Sequence, residues 1–283
     1  MTTSSHIHQR IAIQGELGSF SHEATLAMVP DATLVPCATA ADVFRTLQST
    51  DPTLVDAAVV PIENSLAGSV VEFYDLLSQS EIVITAEKQQ RIRHNLIARP
   101  GSKLPQLTRV LSHPIALAQC RKLFAAHPHL QATPHYDTAG AVRDILKPGA
   151  DIQYAAIASR QAAEQYGGEI LADNIEDNPE NFTRFLLLQR QQDAAPIADP
   201  NKMSLVFFLE NRPGALVEAL RIFSTLSLNL TKIESRPVPG RPWEYMFCVD
   251  VQLPTPESAD MALDKLRRVC PLVKELGRYR AAV

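Results

Sequence analysis

The chain has 283 residues, 46% hydrophobic and 20% charged, with a formal net charge of -4. This length suits about two domains of ~150 residues with ample apolar material for cores. The slight acidity and the lack of a basic stripe argue against nucleic acid or a polyanionic surface as partner.

Cys37, Cys120, Cys248 and Cys270 are scattered, with no C-x-x-C pair and no zinc-ligand spacing. They predict no structural metal and read as reduced thiols of a cytoplasmic protein. Met1 to Arg10 is polar, without the apolar core of a secretory signal, and too short and Arg-poor for a transit peptide. No stretch approaches the ~20 apolar residues of a membrane span, so no membrane association is expected.

In chain order, Ile11–Ile13 reads as a buried strand. Gly15-Glu16-Leu17-Gly18 and Ser19-Phe20-Ser21-His22 then open a helix toward Met28. With Ser19 as cap, this turn suits either an anion or a plain βα connection. It is not G-x-G-x-x-G, so a dinucleotide fingerprint fails. Ala32–Cys37 reads as a strand and Ala40–Leu47 as a helix. Val55–Ile62 reads as a buried strand that delivers Glu63-Asn64-Ser65 to the carboxyl edge of a sheet. The same residues also suit a turn that hydrogen-bonds itself. Val70, Phe73, Tyr74 and Leu77 recur at helical spacing and read as core.

Ile82–Ala86 reads as a strand whose run through His94 to Leu96 crosses between two lobes, with His94 a packed histidine. Val110-Leu111 reads as a strand, followed by a helix from Pro114 to Phe124 with Gln119 beside its apolar face. A buried glutamine there either ties down backbone or meets a ligand. Asp137 or Thr138 caps a helix to Leu146. Ala155–Ala158 reads as a strand, and Ser159 caps a helix that ends at Gly167-Gly168. An acidic loop from Asp173 leads to Asn181-Phe182-Thr183-Arg184-Phe185, which places an amide, a hydroxyl and a guanidinium at the mouth of a buried strand. This alternation predicts parallel sheets in two lobes around a cleft. After a polar linker, the tail reads βαββαβ, the ferredoxin-like order, with a Pro213-Gly214 turn exposing helix amides.

Taken together, Gly15–Ser21, Pro61–Ser65 with Gly68–Val70, Ser112-His113-Pro114 with Ala116-Leu117 and Gln119-Cys120, Asn181–Phe185, and in the tail Gly214–Leu216 and Glu234–Pro237 resemble the prephenate dehydratases of the monofunctional type with a C-terminal ACT domain. The resemblance runs from Ile11 to about Val283. One departure is visible: Ile115 follows His113-Pro114 where the family usually has Gln.

The resemblance implies an α/β fold, with a two-lobed catalytic region like periplasmic binding proteins over 10–190. Lobe one would span about 10–88 and 171–190, and lobe two about 89–170. A linker over 191–201 and the ACT domain over 202–283 would follow. It implies prephenate as substrate, decarboxylating dehydration to phenylpyruvate, no cofactor, and phenylalanine as feedback effector of a homodimer or homotetramer. The family's essential threonine falls on Thr183, with Glu63, Asn64 and Gln119 as further catalytic positions. Ser19, Ser21, Ser65, Arg184 and Asp137 would contact substrate. Asn211, Pro213, Gly214, Ala215, Leu216, Asn229, Leu230, Glu234 and Ser235 would bind phenylalanine at a subunit interface. The rival readings are an arogenate dehydratase, which shares these motifs, and a non-catalytic amino-acid sensor.

Overall fold

The computed structural model describes residues 9–51, 53–238, 241 and 244–282. Residues 1–8 of the polar leader read over Met1–Arg10, and Val283, lie outside the described residues. The chain begins β1 (Arg10–Gln14), α1 (Phe20–Met28), β2 (Thr33–Cys37), α2 (Ala40–Gln48), β3 (Ala57–Asn64), β4 (Gly68–Ser69), α3 (Val71–Gln79) and β5 (Ile82–Arg91). It continues through β6 (Asn95–Ala98), β7 (Arg109–Ser112), α4 (Pro114–Ala118), α5 (Arg121–Ala126), β8 (Gln131–Pro134), α6 (Thr138–Leu146), β9 (Tyr154–Ala158), α7 (Arg160–Tyr166), β10 (Glu169–Ala172) and β11 (Phe182–Arg190). The last part is β12 (Lys202–Leu209), α8 (Ala215–Thr225), β13 (Leu230–Pro237), β14 (Tyr245–Gln252), α9 (Glu257–Val269) and β15 (Leu272–Tyr279).

Side-chain caps fix the helix starts. The Ser19 hydroxyl accepts from the His22 amide, Thr39 and Asp42 form a capping box on α2, Asp137 accepts from Gly140 N, and Ser159 accepts from Ala162 N. The first sheet runs β2-β1-β3-β11-β5, with β4 hairpinned on β3. Its strands β1, β2 and β3 are parallel, and the buried runs Ile11–Ile13 and Ala57–Val60 are those of strands covered on both faces.

The second sheet runs β10-β6-β9-β7-β8. Here the expectation of parallel sheets is corrected. β7 is parallel to β8 and β9, but β6 is antiparallel to both β9 and β10. β6 follows β5 after only three residues, and β5 belongs to the other sheet, so no βαβ unit sets its direction. The single helix expected over 114–124 is also broken. Gln119 ends α4, and Asp177 accepts from the amides of Arg121 and Lys122, which starts α5 afresh.

Two compact units divide the chain: residues up to Val70 with Gln89–Phe185, and Val71–Lys88 with Leu186–Val283. In the first, the β1–α1 turn lies against α7. A Cβ on Gly18 would come within 2.7 Å of Ala162 Cα, and φ is +85°, so both space and backbone require glycine.

The second unit contains the ferredoxin-like sheet, ordered β13-β14-β12-β15 with each neighbouring pair antiparallel. Leu205, Phe207, Val251, Ala219, Phe223 and Leu266 centre its core. The same unit holds α3 and most of β5, which the sequence reading assigned to the first lobe. Specific polar contacts account for this. The Lys274 ammonium donates to the carbonyls of Leu77 at 2.8 Å and Ser78 at 3.3 Å, at the end of α3, and Arg236 pairs with Asp75 at 2.8 Å. Lys202 donates to both oxygens of Glu87 at 2.8 and 3.0 Å, with Asp250 at 3.8 Å, in a site where the lysine and Glu87 side chains are 8% and 1% exposed.

Removing one partner of such a buried pair strands a charge. Lys202→Met is therefore expected to lower unfolding free energy by about 3–5 kcal/mol. Urea denaturation checks this.

Candidate active site

A cavity of about 710 Å³ opens where the β1–α1 turn, the β3–β4 hairpin, His94, α4, the start of α6 and the start of β11 converge in the first unit. Thr183 and Phe185 line it; Arg184, between them on β11, does not. Successive strand residues face opposite ways, so Thr183 and Phe185 reach the cavity from β11 while Arg184 points away from it.

Thr183 sits in an amide network. The Asn64 Oδ1 accepts from the amides of Leu66 at 3.0 Å and Ala67 at 2.8 Å. Its Nδ2 reaches Thr183 Oγ1 at 3.0 Å, Asn181 Oδ1 at 2.7 Å and the Phe182 carbonyl at 3.1 Å. Asn181 Nδ2 donates to Gln119 Oε1 at 3.0 Å, and Gln119 Nε2 lies 3.5 Å from Asn64 Oδ1. Backbone N–H groups can only donate, so the oxygen end of Asn64 is fixed and its nitrogen faces Thr183. The two hydrogens of that nitrogen are shared among three acceptors, so Thr183 can only accept from Asn64 and keeps its own hydroxyl proton for the cavity.

Of the other expected substrate contacts, Ser19 and Ser21 line the cavity at the N-terminus of α1, where helix amides favour an anion. Asp137 lines it too, capping α6 with Oδ1 2.7 Å from Gly140 N. Ile115, which stands where the family usually has Gln, is an exposed apolar part of the wall.

Three residues expected at the site, Glu63, Ser65 and Arg184, are not among those that line the cavity. Arg184 forms an ion pair with Glu63 at 3.3 Å, and neither lines the cavity. The Ser65 hydroxyl donates to the Glu180 carbonyl at 2.8 Å and accepts from Phe182 N at 2.9 Å, stapling the hairpin to the start of β11. Its partners are backbone, so it holds the site's shape.

Sequence reasoning missed His94, Tyr136 and Glu16 as cavity residues, and it gave Asn181 no separate role. His94 is 2% exposed, lines the cavity, and has Nε2 2.9 Å from Gln119 Oε1. The Tyr136 hydroxyl donates to Glu16 at 2.7 Å, and Arg143 donates to Glu16 at 2.6 Å and to the Tyr136 oxygen at 2.8 Å. Burial, helped by the Glu16 carboxylate, pushes the Tyr136 phenol up to about 12. Among the described residues lining the cavity there is no Lys or Arg, while Glu16 and Asp137 are both present. No group of three or more His, Cys, Asp or Glu side chains among the described residues is placed to hold a metal ion.

In the second unit, Asn211, Pro213, Gly214, Ala215 and Leu216 form the turn from β12 into α8, with Gly214 left-handed at φ +86°. Glu234 and Ser235 lie within β13. Asn229 donates to Gln252 at 2.8 Å, beside Leu230 at the start of β13. The register separates these groups. Tyr245 faces Leu209 and Pro237, whereas Val251 faces Met203 and Leu230, so Asn229-Leu230 sit at the opposite end of the sheet from the Gly214 turn. One chain does not gather them. A separate cavity of about 1020 Å³ in this unit includes Asn211 but none of the others.

Burial raises the pKa of Asp137, with Glu16 adding to the effect. The unfolded chain ionises this carboxyl more easily, so its contribution to stability declines as pH rises from the unfolded carboxylate pKa through the folded one. Asn also caps helices well. Asp137→Asn is therefore expected to keep or raise the melting temperature at pH 7 and to flatten its fall with pH. Thermal unfolding across pH 4–7 checks this.

Known proteins share this architecture. The prephenate dehydratase family model matches residues 11–193, and the ACT domain model matches 203–268. The Arabidopsis thaliana protein named arogenate dehydratase/prephenate dehydratase 2, chloroplastic, is 38% identical over 281 residues, covering 95% of this chain and 72% of its own. Petunia hybrida arogenate dehydratase 2 is 38% identical over 290 residues, covering 95% and 71%. Among solved structures, the prephenate dehydratase from Arthrobacter aurescens in complex with L-Phe superposes with a TM-score of 0.86 at 34% identity, over 96% of this chain and 90% of that one. GqqA, described as a novel type of quorum quenching acylase, also gives 0.86 at 34% identity, over 96% and 98%. The chain belongs to the prephenate dehydratase family, and it carries the family's C-terminal ACT domain.

Proposed function

We propose that the chain converts prephenate to phenylpyruvate, water and carbon dioxide in the cytoplasm, in phenylalanine biosynthesis, under feedback by phenylalanine. The observation that carries this reading is the Thr183 hydroxyl at the cavity wall, fixed as an acceptor toward Asn64. In the reaction the ring C–O bond breaks with its electron pair on oxygen, and the departing hydroxyl takes a proton to become water. The ring carboxylate leaves as carbon dioxide, and the electrons of its C–C bond complete the aromatic ring. One proton is consumed overall.

Thr183 is a poor acid by pKa, so its role is oriented donation or relay to the departing hydroxyl. Gln119 and Asn64 hold that orientation. The first amides of α1, with Ser19 and Ser21, bind a substrate carboxylate. Glu63 and Arg184 act from behind the cavity wall by bracing β3 against β11. The catalytic region spans 10–190, the linker 191–201 and the ACT domain 202–283.

Phenylalanine binds between ACT domains of a homodimer or homotetramer. The Gly214 turn of one protomer meets Asn229, Leu230, Glu234 and Ser235 of its partner. The separation of these groups within one chain supports a shared site.

One observation favours a second substrate. Glu16 is already paired with Arg143, but Asp137 lines the cavity with no Lys or Arg among the described lining residues, and it offers the ammonium of arogenate a partner that the ketone of prephenate does not need. Both substrates are to be assayed with the purified protein, with and without phenylalanine. Turnover of prephenate suppressed by phenylalanine is the expected result. Turnover of arogenate alone would move the assignment to that substrate, and turnover of neither would end the dehydratase reading.

Gly214→Val forces a β-branched residue into a left-handed cap with open space around it, so strain acts locally. The variant is expected to keep basal activity and lose inhibition by phenylalanine. Inhibition curves check this.

A further inference from the structure

The mechanism above leaves His94 without a task, although its ring is buried in the cavity wall. Its place follows from the amide network, read outward from two backbone N–H groups. Leu66 and Ala67 fix the oxygen of Asn64, so its nitrogen faces Asn181 Oδ1 at 2.7 Å. The other end of Asn181 is then its nitrogen, which requires Gln119 to present Oε1 at 3.0 Å. His94 Nε2 lies 2.9 Å from that same Oε1, so Nε2 must carry the proton.

The rest of the ring agrees. Nδ1 is buried with no hydrogen-bond partner among the described residues, which suits a bare lone pair better than an N–H donor. Burial pulls the His94 pKa below the usual histidine range, which keeps the ring neutral. Phe20 packs edge-on at 5.5 Å. The backbone is held as well: His94 N donates to Glu176 at 2.9 Å, and Ile175 N to the His94 carbonyl at 2.9 Å. Asp177 N likewise donates to the Gln119 carbonyl at 2.7 Å. The acidic loop before β11 thus pins both members of the pair.

We infer that His94 is a positioning residue for the dehydration: as an Nε2–H donor to Gln119 Oε1, it turns the Gln119 amide nitrogen toward Asn64 and the cavity and so holds the Thr183 hydroxyl in its donating orientation. This rests on the dehydratase reading of the site. The His94 imidazole exchanges no proton with substrate. Its action is geometric, so its loss changes turnover more than binding.

The test compares His94→Leu with His94→Gln, whose side-chain N–H can stand where Nε2–H stood. Leu is expected to lower kcat by ~10²-fold, the scale of a misplaced catalytic group, with KM changed by less than ~3-fold. Gln is expected to recover kcat to within ~10-fold of wild type while sharing the Leu variant's melting temperature. Equal kcat in wild type and Leu, or equal loss in Leu and Gln, would overturn the inference.

A second measurement needs neither variant nor substrate. The 15N shifts of histidine-labelled wild-type protein should give His94 a pyridine-type Nδ1 and a pyrrole-type Nε2. The reverse tautomer would overturn the inference even if dehydratase activity is confirmed. The expected tautomer without any dehydratase activity would place the failure in the functional reading instead.

Discussion

The site depends on the orientation of one carboxamide. Two backbone amides, from Leu66 and Ala67, pin Asn64 Oδ1, and this decides which end of every neighbouring amide points where. Backbone donors at one end of a buried amide chain fix the donors and acceptors along it, and here that arrangement leaves the Thr183 proton directed at the cavity. The pieces come from distant parts of the chain: Asn64 at the end of β3, Gln119 between two short helices, and Asn181 and Thr183 at the mouth of β11. The surrounding turns serve to keep these ends in register. Ser65 staples the β3–β4 hairpin to β11, and Asp177 both starts α5 and ties down the Gln119 backbone.

Much of the fold was legible because its signals are local. Ser19, Asp137 and Ser159 announce helix starts by their own chemistry, and the tail's periodicities switch in the order that the ferredoxin-like sheet requires. What escaped was set by partners remote in sequence. The break at Gln119 depends on Asp177, more than fifty residues on. The antiparallel entry of β6 depends on which sheet the chain joins after β5. The motif around Thr183 was read as one cluster, yet strand alternation sends Arg184 behind the wall to Glu63. His94 read as packing because apolar neighbours flank it, and only the tertiary approach of Gln119 gives it a partner.

The second unit shows the same dependence on paired charge. Lys202, Glu87 and Asp250 are buried together, and Arg236 and Lys274 hold α3 by its side chain and its terminal carbonyls. These contacts bring residues 71–88 into the same compact unit as the ACT strands. The substrate side has an opposite character. Its wall relies on hydroxyls, amides and helix N-termini for anions, with carboxyls rather than cations among the described lining. That balance makes the choice between a keto and an amino substrate an electrostatic question centred on Asp137, since Glu16 is paired with Arg143.

The most direct test of the account is the turnover of Thr183→Ser and Thr183→Val beside the wild type. Serine keeps a hydroxyl within reach of Asn64, whereas valine keeps the shape and removes it. The account predicts that Ser retains most of kcat and that Val loses ~10²–10⁴-fold with folding intact. A valine variant that turns over like the wild type would contradict it, because the hydroxyl around which the network is arranged would then have no part in the chemistry.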